Sequence, residues 1–346
     1  MRILCATALL LSLFAASCSV PDRPAVEPAG PVSGEPAEPA PAEQRARLDW
    51  ALAIHGGAGV ISKDEYEPVK QEYLDSLTDA LKLGASLLEA GGTSLDAVEQ
   101  VVTLLEDDPR FNAGKGAVFN REGHNELDAS IMSGETLRCG AVAAVRTVKN
   151  PIVLARKVME ESKHVLLVSD GAERFAADTG VERVDPEYFR TERRWKEWMH
   201  KRSQAEAPES APMGTVGVVA LDRHGNLAAG TSTGGLTDKA AGRVGDSAVI
   251  GAGTYADNRT CAASGTGKGE EFIRFTVAYR IAALMENRGM SVAEAAREVV
   301  TRVLQPGDGG VIAVDRDGNV AMVFNTPGMF RGAADSGGRF EVAIWE

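Results

Sequence analysis

A threonine directly follows a glycine at the start of an apolar run, Gly214-Thr215-Val216-Gly217. The Thr215 hydroxyl could attack the carbonyl of Gly214 and shift the acyl group from nitrogen to oxygen, and hydrolysis of that ester would cut the chain. The new α-amino group titrates near about 8 and can take the hydroxyl proton. Thr215 is therefore a candidate nucleophile that carries its own base. The alternative is that Gly-Thr only begins a strand.

Arg243 and Asp246 flank Gly245 on one short segment. A guanidinium group binds a carboxylate through two parallel hydrogen bonds, and a carboxylate binds an ammonium group. The pair therefore suits a substrate that carries both an α-carboxyl and an α-amino group. A surface ion pair between the two side chains is the alternative.

A glycine-rich loop, residues 265–269, precedes a predicted helix and invites an interpretation as a phosphate site. It lacks the spacings of the P-loop and of the dinucleotide-binding loop. Glu270 and Glu271 at the helix start would repel phosphate. The residues of this loop therefore do not indicate a phosphate site.

Apolar periodicity predicts helices and short strands that must position these residues. Predicted helices cover 74–88, 95–105, 152–160, 171–177, 270–287 and 291–304, and strands cover 52–54, 141–148 and 165–168. Two similar stretches, 218–228 and 312–321, each contain an Asp-Arg-x-Gly-Asn turn and predict antiparallel hairpins. Strands and helices in blocks indicate the α+β class.

Charge and composition exclude several classes of function. The 346-residue chain has 44% hydrophobic residues and a net charge of −12, so it is globular and repels nucleic acid and anionic membranes. The five histidines and four cysteines form no spacing typical of a metal site. Cys139 and Cys261 are either a disulfide pair or two unrelated thiols.

The N-terminus predicts export. Residues 1–17 have the charged start, apolar run and small-residue end of a signal peptide, and the run is shorter than the roughly 20 residues that span a bilayer. Ala15-Ala16-Ser17-Cys18 resembles a bacterial lipobox, in which Cys18 would be lipidated; plain secretion after the same cleavage is the alternative. Residues 18–47 are proline-rich and predict an extended tether. The protein would then lie on the periplasmic side of the envelope, with the lipid as its one membrane contact.

A second change of composition lies in the middle of the chain. Residues 190–213 are crowded with charge and end in a run of Ala, Glu, Pro and Ser. This composition favours an exposed, flexible connector between the two halves.

Seven motifs in order carry a resemblance to a known family. They are His55-Gly-Gly-Ala-Gly, Arg110-Phe-Asn-Ala-Gly, Asn125-Glu-Leu-Asp-Ala-Ser, Gly214-Thr-Val-Gly, Thr231-Ser-Thr-Gly-Gly, Gly242-Arg-Val-Gly-Asp and Gly265-Thr-Gly-Lys-Gly-Glu. Over residues 50–346 the chain resembles the plant-type L-asparaginase and isoaspartyl peptidase family of N-terminal-nucleophile hydrolases. The resemblance implies a four-layer αββα sandwich. It also implies cleavage before Thr215 into an α subunit, 48–214, and a β subunit, 215–346, assembled as an (αβ)2 heterotetramer.

The same resemblance implies a role for each site residue. Thr215 would be nucleophile and base, and Thr233 would poise its hydroxyl. Arg243 and Asp246 would hold the aspartyl moiety of the substrate. The Thr266 hydroxyl and the Gly267 N–H would form the oxyanion hole, with Gly267 also contacting substrate, and Asn112 would lie near the nucleophile.

A sodium site is implied as well, although the chemistry itself would need no cofactor. In the family the corresponding loop surrounds a sodium ion with main-chain carbonyls, and oxygen donors suit such a hard cation. The donors here would be Leu105, Glu106, Asp108, Phe111, Ala113 and Lys115.

These observations lead to a functional expectation. The chain should be a self-cleaving threonine amidohydrolase that releases L-aspartate from isoaspartyl dipeptides and L-asparagine. One alternative is a glycosylasparaginase, although that family usually has Asp-Thr-Ile-Gly where this chain has Gly-Thr-Val-Gly. Another is a noncatalytic envelope-binding lipoprotein that keeps the fold and is never cut.

Overall fold

The structure is a computed structural model that describes residues 47–203 and 214–346. The predicted signal peptide, the predicted lipidation site at Cys18, nearly all of the predicted tether and the second half of the predicted connector lie outside these residues. Within the described ranges no helix combines the length and apolarity needed to cross a bilayer.

Twelve strands form two sheets in the described chain. The large sheet has the order β12-β11-β1-β5-β6-β2-β3-β4 and the small sheet β10-β9-β8-β7. In chain order the strands are β1 Ala51–Gly59, β2 Leu127–Ser133, β3 Cys139–Val145, β4 Leu166–Val168, β5 Val216–Leu221, β6 Leu227–Thr233, β7 Thr254–Ala256, β8 Cys261–Gly267, β9 Gly309–Asp315, β10 Val320–Phe324, β11 Gly328–Asp335 and β12 Phe340–Ala343.

The described ranges contain nine α-helices. They are α1 Lys63–Tyr66, α2 Lys70–Glu89, α3 Ser94–Asp107, α4 Pro151–Glu161, α5 Ser169–Asp178, α6 Glu192–Ser203, α7 Gly269–Phe275, α8 Val277–Arg288 and α9 Val292–Glu298. Side chains cap two of these helices: the Thr93 side chain accepts from the N–H of Asp96, and Ser291 and Glu294 form a capping box.

Alternation along the strands produces four layers. On β5, Val218 and Ala220 face the core formed with α2 to α5, whereas Val219 and Leu221 face the small sheet. The other face of the small sheet packs on α8 and α9 through Ile281 and its neighbours. The predicted αββα sandwich is confirmed, with small side chains filling much of the layer between the sheets: Ala51, Ala53, Ala229, Ala262 and Ala333.

Both predicted hairpins are present, one in each sheet. In the first, Asp222 Oδ1 accepts the backbone N–H groups of His224 and Asn226, and Gly225 has a φ of +83° that favours glycine. Asp315 plays the same part between β9 and β10. The first turn fixes the register of β5 against β6, in which Val216 lies opposite Ser232.

The structure corrects several details of the predicted elements, among them the helix predicted at 291–304, which is α-helical only over Val292–Glu298. The strand predicted at 52–54 continues to Gly59, with a bulge between His55 and Gly57. Strands β2, β7, β8, β11 and β12 were not predicted, and the first three residues of the glycine-rich loop 265–269 belong to β8. The residues of β2 are all buried and show no alternation. The helix predicted at 270–287 is broken at Thr276, whose φ of +51° ends α7 and starts α8.

The prediction of an exposed connector over 190–213 is wrong in its first half. Residues 192–203 form α6, on which Arg194 and Trp198 are buried. Arg194 Nε donates to the carbonyl of Gly116 at 2.7 Å, and Trp198 packs against Phe119. These two residues are four positions apart and so share one face of the helix, which the surrounding charged residues conceal in the sequence.

Candidate active site

The centre of the site is a pair of hydroxyls on neighbouring strands. Thr215 comes just before β5 and Thr233 ends β6, so the antiparallel register places them opposite each other. Thr215 Oγ1 donates to Thr233 Oγ1 at 3.1 Å, and both residues are buried. Thr233 Oγ1 also accepts the N–H of Gly235 at 2.9 Å. The Thr233 hydroxyl is thus held as an acceptor toward Thr215.

Asn112 lies against the residue that precedes the candidate nucleophile. A Cβ on Gly214 would lie 3.2 Å from Asn112 Cβ. The Asn112 amide donates to the carbonyl of Gly235 at 2.7 Å, and its oxygen accepts the N–H of Val118. Asn112 therefore joins its own loop to the segment after Thr233 and packs beside the predicted cleavage site.

The two predicted substrate anchors are close together but are not an ion pair with each other. Arg243 donates through Nε and Nη2 to both oxygens of Glu270, at 3.0 and 2.9 Å. Hydrogen bonding by Arg243 holds the pKa of the Glu270 carboxyl below its usual range. The guanidinium group is fixed by this pair, while Nη1 points toward the backbone at Gly235 and Gly245.

Asp246 is buried, and its Oδ2 has no hydrogen-bond partner within the described chain. Burial raises the pKa of its carboxyl to about 7, against the opposing attraction of Arg243. An unpaired carboxyl in such a place is costly unless a cation arrives to bind it. This is the property expected of a group that receives a substrate ammonium.

The predicted oxyanion loop lies beside Asp246. A Cβ on Gly269 would lie 3.0 Å from Asp246 Oδ1. Thr266 Oγ1 accepts the N–H of Ala58 at 3.2 Å, which leaves the hydroxyl proton free to donate. Gly267 has a φ of +156°, and a Cβ there would lie 2.1 Å from the carbonyl of Asp308. The backbone at Gly267 therefore requires glycine.

An open cleft of about 460 Å³ lies beside Arg243. Helix α6 contributes Lys201, whose Nζ donates to the carbonyl of Thr237 at 2.8 Å. The cleft is also lined by Arg121, Leu236, Lys239 and Glu270. Helix α6, which was not predicted from the sequence, thus forms one wall of the cleft beside Arg243.

Sequence reasoning missed the contact made by His55, the first residue of the motif on β1. Its Nδ1 lies 2.9 Å from the carbonyl oxygen of Thr215. Three residues later, Ala58 contacts Thr266. Strand β1 therefore links the candidate nucleophile to the candidate oxyanion hole, and only the occurrence of a histidine in an otherwise apolar strand signals it.

The loop predicted to surround sodium folds back on the end of α3. A Cβ on Gly114 would lie 2.3 Å from the carbonyl oxygen of Glu106, and one on Gly116 would lie 1.9 Å from that of Phe111. Main-chain oxygens therefore lie close to two glycines of this loop, where a side chain would overlap them. The Glu106 side chain points elsewhere and accepts from Ser232 and Ile152.

Cys139 and Cys261 are both free thiols, so the disulfide is not formed in this structure. Cys261 is fully buried, and burial raises the pKa of its thiol to about 12. A thiol in this state is unreactive. Partial burial also raises the pKa of the Cys139 thiol.

Comparison with known proteins agrees with the motifs. A family model described as asparaginase matches residues 48–344. The isoaspartyl peptidase of Escherichia coli K12 is 50% identical over 293 residues, covering 81% of this chain and 91% of that protein. The probable isoaspartyl peptidase/L-asparaginase 2 of Arabidopsis thaliana is 43% identical over 327 residues, covering 86% and 99%. The isoaspartyl peptidase/L-asparaginase of Bos taurus is 43% identical over 296 residues, covering 84% and 94%. The chain belongs to the asparaginase family that its ordered motifs indicated.

Proposed function

We propose that this protein is an isoaspartyl peptidase and L-asparaginase whose nucleophile is Thr215, freed by self-cleavage after Gly214. The observation that carries the proposal is the hydrogen bond from the Thr215 hydroxyl to Thr233 at the start of β5. The relative from Bos taurus is named for both activities, and the relative from Escherichia coli is named as an isoaspartyl peptidase.

In the proposed reaction the Thr215 amino group takes the proton of its own hydroxyl, and the oxygen attacks the β-carbonyl carbon of the substrate. The Thr266 hydroxyl and the Gly267 N–H stabilise the negative charge on the carbonyl oxygen. The C–N bond breaks, the leaving amine receives the proton, and an ester on Thr215 remains. Water then hydrolyses the ester and releases L-aspartate, so each turnover consumes one water and releases one amine.

Arg243 and Asp246 select the aspartyl part of the substrate in this proposal. Arg243 takes the α-carboxylate while Glu270 holds the guanidinium in place. Asp246, buried and unpaired at Oδ2, takes the α-ammonium. Both contacts are at the end of the substrate remote from the scissile bond, so they orient the β-carbonyl toward Thr215.

The test of the nucleophile is the intact mass of the denatured protein, with Thr215→Ala as the comparison. We expect the wild type to split between Gly214 and Thr215 and to release aspartate from β-Asp-Leu and from asparagine, and the variant to stay whole and inactive. An uncut, inactive wild type would favour the binding lipoprotein. Cut protein that acts only on a glycan-bearing asparagine would favour the glycosylasparaginase.

We also propose a sodium ion in the loop of residues 105–115, which corresponds to the sodium-binding loop of the family. Its ligands would be the main-chain carbonyls of Leu105, Glu106, Asp108, Phe111, Ala113 and Lys115. A bound cation there would stiffen the loop that carries Asn112. Its test is the thermal midpoint in sodium against a large organic cation at equal ionic strength, which we expect to be higher in sodium.

Export and assembly are proposed on the sequence and the family resemblance. We propose cleavage after Ser17, a lipid on Cys18, attachment on the periplasmic side of the envelope and an (αβ)2 heterotetramer. Incorporation of a labelled fatty acid into the wild type, and none into Cys18→Ala, tests the anchor. The mass of the native particle tests the assembly.

A further inference from the structure

A chain of buried polar side chains begins at the carbonyl of Thr215. His55 Nδ1 lies 2.9 Å from that oxygen, and His55 Nε2 lies 2.9 Å from Ser264 Oγ. A carbonyl can only accept a hydrogen bond, so Nδ1 carries the ring proton. Nε2 is then an acceptor and receives the hydroxyl proton of Ser264. Both side chains are fully buried.

The chain continues through three more hydroxyls. The Ser264 Oγ atom lies 2.7 Å from Thr231 Oγ1. Thr231 Oγ1 lies 2.6 Å from Thr254 Oγ1, which lies 2.8 Å from Ser130 Oγ. Each hydroxyl has one proton. With Ser264 donating to His55, Thr231 donates to Ser264, although the carbonyl of Gly253 also lies 3.1 Å from Thr231 Oγ1. Thr254 then donates to Thr231 and Ser130 donates to Thr254, and the carbonyl of Ser247 lies 2.6 Å from Ser130 Oγ.

These side chains alternate between the two sheets. His55 is on β1, Thr231 on β6 and Ser130 on β2 of the large sheet, whereas Ser264 is on β8 and Thr254 on β7 of the small sheet. They cross an intersheet layer that is elsewhere lined by alanine, valine and leucine. A hydrogen-bonded network of buried side chains in such a layer favours one arrangement of its members. The ring of His55 is therefore held from both sides.

The backbone makes room for this arrangement at Gly217, the second residue after Thr215. A Cβ there would lie 2.1 Å from Ser264 Oγ and 2.2 Å from His55 Nε2. Burial lowers the pKa of the His55 imidazole to about 3, so the ring is neutral at working pH. A neutral ring whose Nε2 lone pair is already used by Ser264 has no capacity left to act as a general base.

We propose that His55 is a positioning residue: its Nδ1–H, oriented by the chain of hydroxyls, holds the Thr215 carbonyl and so sets the place of the Thr215 hydroxyl and amino groups. This inference rests on the proposed nucleophile. Cleavage turns Thr215 into a chain end, and chain ends fray unless they are tied down. Since β5 begins only at Val216, the contact with His55 holds the backbone of Thr215 itself, while Thr233 holds the Thr215 hydroxyl.

The kinetic test compares His55→Asn with His55→Gln in the full-length, self-cleaved protein. The amide nitrogen of asparagine can replace Nδ1 and still donate to the Thr215 carbonyl. Glutamine reaches the position of Nε2 toward Ser264 and lacks that donor. Because misplacing a reacting group by about 1 Å can cost about 10²-fold in rate, we expect kcat of His55→Gln to fall about 10²-fold with little change in KM. His55→Asn should recover most of it.

A separate variant controls for loss of stability. Asp315→Ala removes the turn acceptor of the β9–β10 hairpin and should lower the thermal midpoint without changing kcat. Equal losses of kcat in His55→Asn and His55→Gln, or an unchanged kcat in His55→Gln, would overturn the role of His55. A Thr215→Ala protein as active as the wild type would instead show that the nucleophile assignment is wrong.

The second measurement needs no substitution and so avoids any failure to fold. Nitrogen NMR of the wild type labelled with ¹⁵N-histidine reports the tautomer of each ring. We expect one ring to carry its proton on Nδ1 and to keep the same signals between about pH 5 and 8, as a buried neutral imidazole does. If no ring is an Nδ1–H tautomer, His55 cannot donate to Thr215 and the proposal is wrong.

Discussion

The hydroxyls of Thr215 and Thr233 lie 3.1 Å apart although the residues are 18 positions apart in the chain. The distance follows from one tight turn, because the turn between β5 and β6 fixes which residues of the two strands are opposite. Cleavage at Gly214 would leave this register unchanged, since neither strand includes the cut bond. The pair is therefore already formed in the uncut chain.

Replacing Thr233 by valine should slow both self-cleavage and turnover. Valine has the shape of threonine but cannot accept from the Thr215 hydroxyl, so the nucleophile loses its orientation. We expect kcat to fall about 10²-fold, by analogy with removal of one preorganised hydrogen-bonding group from an active site. Steady-state hydrolysis of β-Asp-Leu and the time course of chain cleavage measure this. Thr233→Ser restores the hydroxyl and should restore both rates; valine and serine variants of equal activity would contradict the role.

The sequence could predict this pair and could not predict His55. Thr215 and Thr233 are joined by a local hairpin whose turn residues are readable, whereas His55 and Thr215 are 160 positions apart and meet only through strand pairing. Helix α6 was missed for the same reason, since its buried Arg194 donates a hydrogen bond to the carbonyl of Gly116, 78 positions away in the chain. Contacts within one hairpin can be predicted from a sequence, whereas contacts between distant strands or between a helix and a distant loop cannot.

The acid side of the pH profile should reflect two groups. The Asp246 carboxyl binds the substrate ammonium only when ionised, above a pKa of about 7. The free amino group of Thr215 acts as base only when neutral, above about 8. Lowering the pH protonates both, so kcat/KM should fall with a steepening slope as the pH drops below 7. In Asp246→Asn one of these protonations is absent, and the slope should correspond to a single group.

The control for that profile is a substrate without the α-amino group. Succinamate lacks the ammonium that Asp246 would bind, so its hydrolysis should show the single-group slope in the wild type as well. The same steep slope for asparagine in wild type and Asp246→Asn would mean that another group titrates, of which Glu270 and Asp128 are the acidic neighbours.

Gly267→Ala should destabilise the fold and abolish turnover. The added Cβ would lie 2.1 Å from the carbonyl of Asp308, at a φ of +156° that alanine rarely adopts. Backbone strain and overlap together should cost more than about 2 kcal/mol of unfolding free energy.

Two other glycines separate the effect of backbone strain from that of overlap in thermal unfolding. Gly338→Ala has a φ of +96° and open space, so it should show strain alone, and Gly171→Ala, in helix α5 with open space, should be neutral or stabilising. Equal midpoints for all three variants would contradict the requirement for glycine at 267.

Arg243→Lys should weaken binding of substrates that carry an α-carboxylate. A guanidinium can hold Glu270 through Nε and Nη2 and still donate from Nη1, whereas an ammonium cannot make both planar contacts. Since hydrogen bonds to charged groups contribute about 1.5–3 kcal/mol, kcat/KM for asparagine should fall between about tenfold and 150-fold. Glu270→Gln keeps the guanidinium and the shape of its partner and should lower kcat/KM less than Arg243→Lys does.

The control is β-alaninamide, which is asparagine without the α-carboxylate. Wild type and Arg243→Lys should hydrolyse it at similar low rates. If Arg243→Lys lowers kcat/KM equally for both amides, Arg243 serves the structure of the site and not the recognition of the carboxylate.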